Sequence, residues 1–461
     1  MLNKRYSRRK FIKQSSLTGI GSVLAVNMSS PSVAVPGNSA DVPAVLGGTP
    51  VRTKEWPVWP QWNPAKDEKR VLDVLRGGVW SRDKVVNEFE RRWAETIGTK
   101  RCLAVVNGTN ALISSLVQMD IGAGDEVLVP PYTWISTIQA VLIAGAMPVF
   151  VDTDPDTYQM DAEKIEEKIT PQTRAILPVH ILGLPANMER IMDIANKHNL
   201  LVLEDACQAW LAEINHKKVG TFGYAGCYSF QTTKHLPLGE GGAIVSDDEA
   251  FVDRCYSYHN VGFPYGGVIG DVTAGSVMLA TKLRITEYQA AVGLSLLENL
   301  EEQTTIRNDR AAYLRSQIID IPGIVPYKLY DNVTRCAFHM FAFRYKKDEF
   351  QGLPRENFLK ALGKEGVPCM SGYTPYLNTQ PYLKHAFQTK NFKAMYPKEK
   401  LDFKKYAERN QCPENDALCN EAVWLFQSML LADKSDMDDV ATAIDKIRKN
   451  ADTIKKTLQD T

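Results

Sequence analysis

From about residue 100 onward, short apolar, β-branched runs alternate with stretches in which apolar residues recur at helical spacing. The strand-like runs are Cys102–Val106, Glu126–Val129, Pro148–Asp152, Ala175–Val179, Leu200–Glu204, Gly226–Phe230 and Ala243–Ser246. Between them lie helical patterns at Thr109–Met119, Ile135–Ala144, Ala162–Ile169 and Asn187–His198. Strands separated by helices predict βαβ units and an α/β fold with a mainly parallel sheet covered on both faces. Ligands bind such sheets at the carboxyl ends of the strands. A long helix is expected from Leu283 to Glu302. Beyond residue 320 a strand at Phe341–Tyr345 and helices at Arg355–Glu365 and Asp436–Thr457 predict a smaller α+β domain. The expected division is a large domain over 61–315 and a small one over 316–461. An extended, Pro- and Gly-containing arm occupies 35–60, and Gln388–Asn415, rich in Lys, Tyr and Pro, reads as a surface insertion.

Charge changes this picture at one end only. The 461 residues carry 54 Lys plus Arg and 54 Asp plus Glu, a formal net charge of zero. Residues 1–34 hold six basic side chains and no acid, so the remainder has 48 basic against 54 acidic. The head Ser7-Arg8-Arg9-Lys10-Phe11-Ile12-Lys13 precedes a mildly apolar run from Leu17 to Met28 and small residues at Ser32-Val33-Ala34. This resembles a twin-arginine export signal, which implies a periplasmic destination. The run is too short and too rich in Ser and Gly for a membrane span. The chain lacks the basic excess of a nucleic-acid binder.

Eight cysteines include no C-x-x-C pair, and no metal-ligand set stands out. Cys102 and others sit in apolar runs, as small buried residues do. Only Cys412 and Cys419, in a polar stretch, suggest a disulfide, which export would permit.

Four expected strand ends carry polar residues that a sheet does not need. Asn107-Gly108-Thr109 joins a strand to a helix, where free N–H groups, a closely approachable Gly and a hydroxyl suit a phosphate; alone, it also reads as an ordinary helix cap. Trp134, in Pro130-Pro131-Tyr132-Thr133-Trp134, offers a ring for stacking, although a lone Trp is more often core. Asp205 and Gln208 follow the buried run Leu200–Leu203, where a carboxylate is costly unless a cation meets it. Ser229 and Lys234 frame the turn before Gly239-Glu240-Gly241-Gly242. There an amine could form a Schiff base with an aldehyde, and Ser229 could add a phosphate contact.

In this order the four sites resemble the aspartate-aminotransferase-like fold (fold type I) of pyridoxal-phosphate enzymes, and more narrowly the DegT/DnrJ/EryC1/StrS sugar aminotransferases. The resemblance extends over most of the chain after residue 45. It takes in Ile121-Gly122-Ala123-Gly124-Asp125-Glu126-Val127, Phe150-Val151-Asp152-Thr153-Asp154-Pro155, Pro178-Val179-His180, Thr286-Glu287-Tyr288-Gln289-Ala290-Ala291 and Met437-Asp438-Asp439-Val440.

The resemblance implies a seven-stranded large-domain sheet, pyridoxal 5′-phosphate as cofactor, and a role for each matching residue. Lys234 would bear the cofactor and shuttle a proton, while Asp205 would keep the pyridine nitrogen protonated. Gln208 would lie near the ring hydroxyl and Trp134 over the ring. Gly108, Thr109 and Ser229 would cradle the phosphate. The family usually completes that cradle with an Asn from the neighbouring subunit, so a homodimer with shared sites is implied; here Thr281-Lys282-Leu283-Arg284 puts Lys282 at that place. Arg284, His339 and Tyr373 are candidate substrate contacts, although a His in a strand-like run such as His339 is more often structural.

Relatives that dehydrate sugars carry His where this chain has Lys234, so amino transfer is the reaction implied, from glutamate or glutamine to a keto-sugar or keto-cyclitol. Nucleotide sugars are cytoplasmic, so an exported enzyme would instead use a free or glycosidic ketone. The competing readings are a non-catalytic cofactor-binding sensor or interaction protein, and a dehydratase or epimerase using the same cofactor.

Overall fold

The computed structural model describes residues 40–459 except 268–272, 274 and 375. The expected leader at 1–34 and the start of the arm fall outside the described residues. The main sheet has seven strands: β1 Arg101–Val105, β2 Glu126–Val129, β3 Met147–Phe150, β4 Thr173–Ile176, β5 Leu201–Asp205, β6 Ala225–Ser229 and β7 Gly242–Ser246. Their order is β1-β7-β6-β5-β4-β2-β3. Neighbours pair in parallel from β6 through β3, and only β7 runs antiparallel to both its neighbours. Strands β2, β3, β6 and β7 are buried along their whole length, which is why they read as unbroken apolar runs rather than alternating ones.

Helices cover the faces. α1 Pro64–Gly77, α2 Lys84–Ile97, α3 Gly108–Gln118, α4 Ser136–Ala144, α5 Met188–His198 and α6 Glu249–His259 precede the 32-residue α7, Glu287–Ile318. α7 begins at a capping box in which Thr286 and Gln289 satisfy each other's backbone N–H groups. It continues well past the expected end at Glu302. Its buried face runs from Ala290 to Ile318, so one helix packs on both apolar clusters.

The second sheet is antiparallel. It comprises β8 Ile324–Pro326, β9 Met340–Tyr345, β10 Cys369–Met370 and β11 Ala422–Phe426, in the order β8-β9-β11-β10. The helices Arg355–Lys364, Lys434–Lys449 and Ala451–Gln459 pack with it through Phe343, Phe358, Leu362, Val440 and Ile444.

The described part of the arm is tied to this layer. Buried Arg52 pairs with Asp436 at 2.6 Å and Asp439 at 2.9 Å. Trp56 Nε1 donates to the Gly366 carbonyl, and Glu365 accepts from Ala44 N and Val51 N. The arm then crosses to the main sheet, where Trp59 Nε1 donates to the carbonyls of Thr232 and Lys234.

Two expectations are corrected and a third is sharpened. Ala162–Ile169 is not an α-helix but two 3₁₀ turns, Ala162–Lys164 and Glu166–Lys168. Asp161 binds the Glu163 N–H, and the following bonds close over three residues instead of four. Gln388–Asn415 lies largely exposed, as a surface insertion does, and is also anchored to the main sheet. Phe392, Tyr396 and Tyr406 join the main-sheet core, and Asn410 Oδ1 accepts from Phe150 N on the outermost strand β3 at 2.7 Å. Tyr406 and Tyr396 donate to the Pro148 and Gly145 carbonyls, so the segment covers an edge that would otherwise offer unpaired backbone. Cys412 and Cys419 are buried free thiols rather than a disulfide. Cys412 caps the start of the short helix Pro413–Glu421 and Cys419 lies within it, and their Sγ atoms bond separately to the Asn410 carbonyl and Asn415 Oδ1.

Candidate active site

Four of the loops that follow main-sheet strands, β1, β2, β5 and β6, converge on one rim. At the end of β1, Asn107 Oδ1 accepts from Asn110 N at 2.9 Å and starts α3. Gly108 next to it has no room for a side chain. A Cβ there would stand 2.7 Å from Cys207 Sγ and 2.9 Å from Ser229 Cβ. The ends of β1, β5 and β6 therefore touch through a glycine, and the first N–H groups of α3 form the floor of a small cradle. Thr109 Oγ1 donates to Ser136 Oγ at 2.9 Å, which joins the start of α3 to that of α4. Ser229, buried at the end of β6, accepts weakly from Gln231 N at 3.4 Å.

Asp205 ends β5 and is 4 % exposed. Thr137 Oγ1 donates to its Oδ2 at 2.8 Å and Cys207 N to its Oδ1 at 3.2 Å; Thr137 also shares a 2.8 Å hydroxyl contact with Thr133. The preceding carboxylate, Glu204, is fully consumed by structure. It accepts from His180 Nε2 and from the N–H groups of Gly220, Phe222 and Gly223 at 2.6–2.9 Å. His180 Nδ1 accepts from Ala186 N, so its proton is on Nε2 and the ring is neutral. Of the two acids at the strand end, only Asp205 turns to the rim.

Gln208 is held at both ends. Its Oε1 accepts from Leu182 N at 2.9 Å, and its Nε2 donates to Tyr373 OH at 3.0 Å. Tyr373 packs edge-on to Trp424 and lies 6.5 Å, ring to ring, from Trp134. Trp134 is 60 % exposed, so it is a free-standing flat ring and not a core residue.

Lys234 stands in the turn after β6, where Lys234 N donates to the Gln231 carbonyl. Gly239, with φ of 81°, lets the turn close back onto β7. The Lys234 Nζ lies 3.2 Å from His339 Nε2 and 5.9 Å above the Trp210 ring. Burial pushes its amine down to about 8, against the opposing pull of Cys207 and Asp205. No carboxylate among the described residues is within ion-pair distance of it.

Eight of the expected positions are thus gathered directly: Gly108, Thr109, Trp134, Asp205, Gln208, Ser229, Lys234 and Tyr373. His339 joins them as a neighbour of Lys234. Lys282 and Arg284 do not. Exposed Lys282 pairs by its backbone with Asn260, and Arg284 is half-buried. Among the described residues, no hydrogen bond or ion pair links either of them to Lys234, Asp205 or Ser229. Sequence reasoning missed Thr137 and Ser136, whose only signal was two hydroxyls opening a helix. It also missed His235, buried within the Lys234 turn itself, and Arg307, which lies against the Trp59 ring that holds that turn.

The family profile described as DegT/DnrJ/EryC1/StrS aminotransferase family matches residues 63–398. Similar proteins include the L-glutamine:2-deoxy-scyllo-inosose aminotransferase of Streptomyces paromomycinus, 33 % identical over 88 % of this chain and 97 % of its own. The protein of the same name from Streptomyces kanamyceticus is 32 % identical, over 88 % and 96 %. Among solved structures, 3-amino-5-hydroxybenzoic acid synthase superposes with a TM-score of 0.74 at 30 % identity, covering 86 % of this chain and all of its own. The architecture is that of fold type I pyridoxal-phosphate enzymes. This chain belongs to the DegT/DnrJ/EryC1/StrS aminotransferase family, an enzyme of amino-group transfer whose cofactor is pyridoxal 5′-phosphate.

Proposed function

We propose that the protein moves the α-amino group of L-glutamine onto the ketone carbon of a free keto-cyclitol resembling 2-deoxy-scyllo-inosose. The amine nitrogen leaves glutamine as that carbon takes an oxygen from water to become a 2-oxo acid, and the ketone oxygen of the acceptor leaves as water, so no water is consumed overall. The observation that carries the reading is the convergence of Lys234, Asp205 and the Gly108 cradle at one rim. The names of the Streptomyces relatives supply the donor and the acceptor class.

The residues suit the cofactor. A cradle that a Cβ would fill, with Ser229 and the start of α3 around it, matches a phosphate. Asp205, which accepts from Thr137 and Cys207 N and meets no cation at ion-pair distance among the described residues, would hold the proton of the ring nitrogen. Gln208 would face the ring hydroxyl, its amide locked by Leu182 and Tyr373, and Trp134 would cover the ring. Bound there, pyridoxal phosphate supplies an electron sink at the carbon that exchanges its amine. Lys234, with an amine depressed to about 8, is a stronger nucleophile near neutral pH than an exposed lysine, and it can give and take a proton at Nζ. Trp134 and Tyr373 offer aromatic faces to an unphosphorylated ring.

The working unit is proposed as a homodimer. Exposed Val79, Trp80, Val261 and Tyr288 gather around residues 281–288, where Trp80 O accepts from Glu287 N and Thr281 O from Val261 N. A second copy seated on these apolar side chains would bury them and bring Lys282 and Arg284 to the other protomer's rim. Export by the twin-arginine route is proposed from residues 1–34. A reporter fused to those residues should leave the cytoplasm, and retention would return nucleotide sugars as acceptors.

The test of the reaction is a single half-turnover. Adding L-glutamine to the protein loaded with pyridoxal phosphate should abolish the visible band of the lysine-bound cofactor, and a keto-cyclitol should restore it. Persistence of the band with every amino acid tried would reject the proposal in favour of a binding protein.

A further inference from the structure

The mechanism leaves one buried set of polar groups unused. His339, immediately before β9, is 5 % exposed, and its Nδ1 has no hydrogen-bond partner among the described residues, while Nε2 lies 3.2 Å from Lys234 Nζ. Behind it, on α7, Arg307 is fully buried with no acid paired to it; Nε donates to Gln427, and neither Nη has a partner. The Trp59 ring, whose indole N–H holds the Lys234 carbonyl, lies 5.2 Å from the guanidinium. Trp210 and His235 complete the walls, with ring centroids 6.2 and 6.1 Å from that of His339.

We propose that His339 is a positioning residue: through Nε2 it accepts a hydrogen bond from the free Lys234 amine and sets where that amine stands whenever it is not bonded to cofactor. The inference rests on reading Lys234 as the cofactor-bearing lysine. An ammonium has donors only, so the imidazole must be neutral and carry its proton on Nδ1. The surroundings enforce this. Burial, Lys234 and Arg307 all oppose protonation of His339, and burial, Arg307 and His339 oppose that of His235. Facing Lys234 from the β5 end are Asp205 and Cys207, which favour its charged form. A buried, unpaired guanidinium thus has a purpose: it prevents the acceptor from becoming a second donor.

The test uses the cofactor-free protein and so does not depend on the reaction. The reactivity of Lys234 toward acetic anhydride, followed by mass spectrometry against pH, gives the midpoint of its titration, expected near 8 in the natural protein. His339→Leu should lower that midpoint by about one pH unit, the size of a lost charge-assisted bond. His339→Gln, which offers Oε1 in place of Nε2, should restore it. An unchanged midpoint in a folded His339→Leu protein, or no rescue by Gln, overturns the proposal. If the Leu variant does not fold, ¹⁵N chemical shifts of His339 in the natural protein decide. A neutral ring protonated at Nδ1 near neutral pH supports the proposal, and a proton on Nε2 overturns it. Failure of transamination with these results intact would remove the proposed function and leave the lysine–histidine contact standing.

Discussion

At the scale of single residues, the site depends on which polar groups the fold has already satisfied. Glu204 and Asp205 are neighbours in one strand, yet four donors consume the first, and the second accepts from Thr137 and Cys207 N and meets no cation at ion-pair distance among the described residues. Thr137→Val should therefore weaken cofactor binding without unfolding the protein. Loss of one hydrogen bond to a charged group costs about 1.5–3 kcal/mol, an order of magnitude or more in affinity; equilibrium titration with pyridoxal phosphate checks this. Lys234 predicts a pH effect on stability. Its folded value of about 8 lies below the ordinary 10.5, so the unfolded chain binds more protons through that interval. The burden of burying the ammonium is full below pH 8 and is relieved as pH rises toward 10.5. In cofactor-free protein, Lys234→Met should be more resistant to urea than the natural chain at neutral pH, with the difference shrinking above pH 8.

At the scale of elements, the main sheet was legible because parallel strands buried on both faces appear as continuous apolar runs. All seven strands fall at or within three residues of their expected places. The rim was legible for the same reason: a polar residue that ends an apolar strand stands out. The departures have physical sources. Ala162–Ile169 has helical spacing, but Asp161 spends its carboxylate on Glu163 N and tightens the turn to 3₁₀ form. Gln388–Asn415 is polar in composition because it must bond to an exposed strand edge while burying only a few aromatics. Arg307 was hidden because it lies beyond Glu302, where the long helix was expected to end, and a lone Arg there reads as solvated. The edge cover makes its own prediction. Burial pushes the Glu126 carboxyl up, but hydrogen bonds from Arg409, Thr170 and Lys400 outweigh it and hold the group at about 2. That stabilisation is complete above the ordinary 4.5 and is lost as pH falls toward 2. Glu126→Gln should lower the denaturation midpoint at neutral pH, and the gap from the natural protein should close through this acid interval.

At the scale of the molecule, the arm and α7 connect the two sheets, and both reach the Lys234 turn, through Trp59 and Arg307. Among the described residues, Lys282 and Arg284 make no hydrogen bond or ion pair to Lys234, Asp205 or Ser229 of their own chain, and they lie beside exposed apolar side chains. If a second copy supplies them, two inactive variants should complement each other. Lys234→Ala mixed in equal amounts with Lys282→Glu, after exchange of subunits, should recover about a quarter of the natural activity, because each mixed dimer rebuilds one intact site. Two variants that remain inactive together would place Lys282 outside the shared site.

The central claim is that nitrogen passes from an amino acid to a ketone in a reaction that needs Lys234 to hold the cofactor and move a proton. The most direct measurement feeds the loaded enzyme L-glutamine labelled with ¹⁵N at the α-amino group, together with 2-deoxy-scyllo-inosose, and weighs the cyclitol product. The account predicts a product that has exchanged its carbonyl oxygen for one ¹⁵N amine, absent with Lys234→Ala. A product that has lost water or inverted a centre without gaining nitrogen, or an amine that still forms without Lys234, would contradict it.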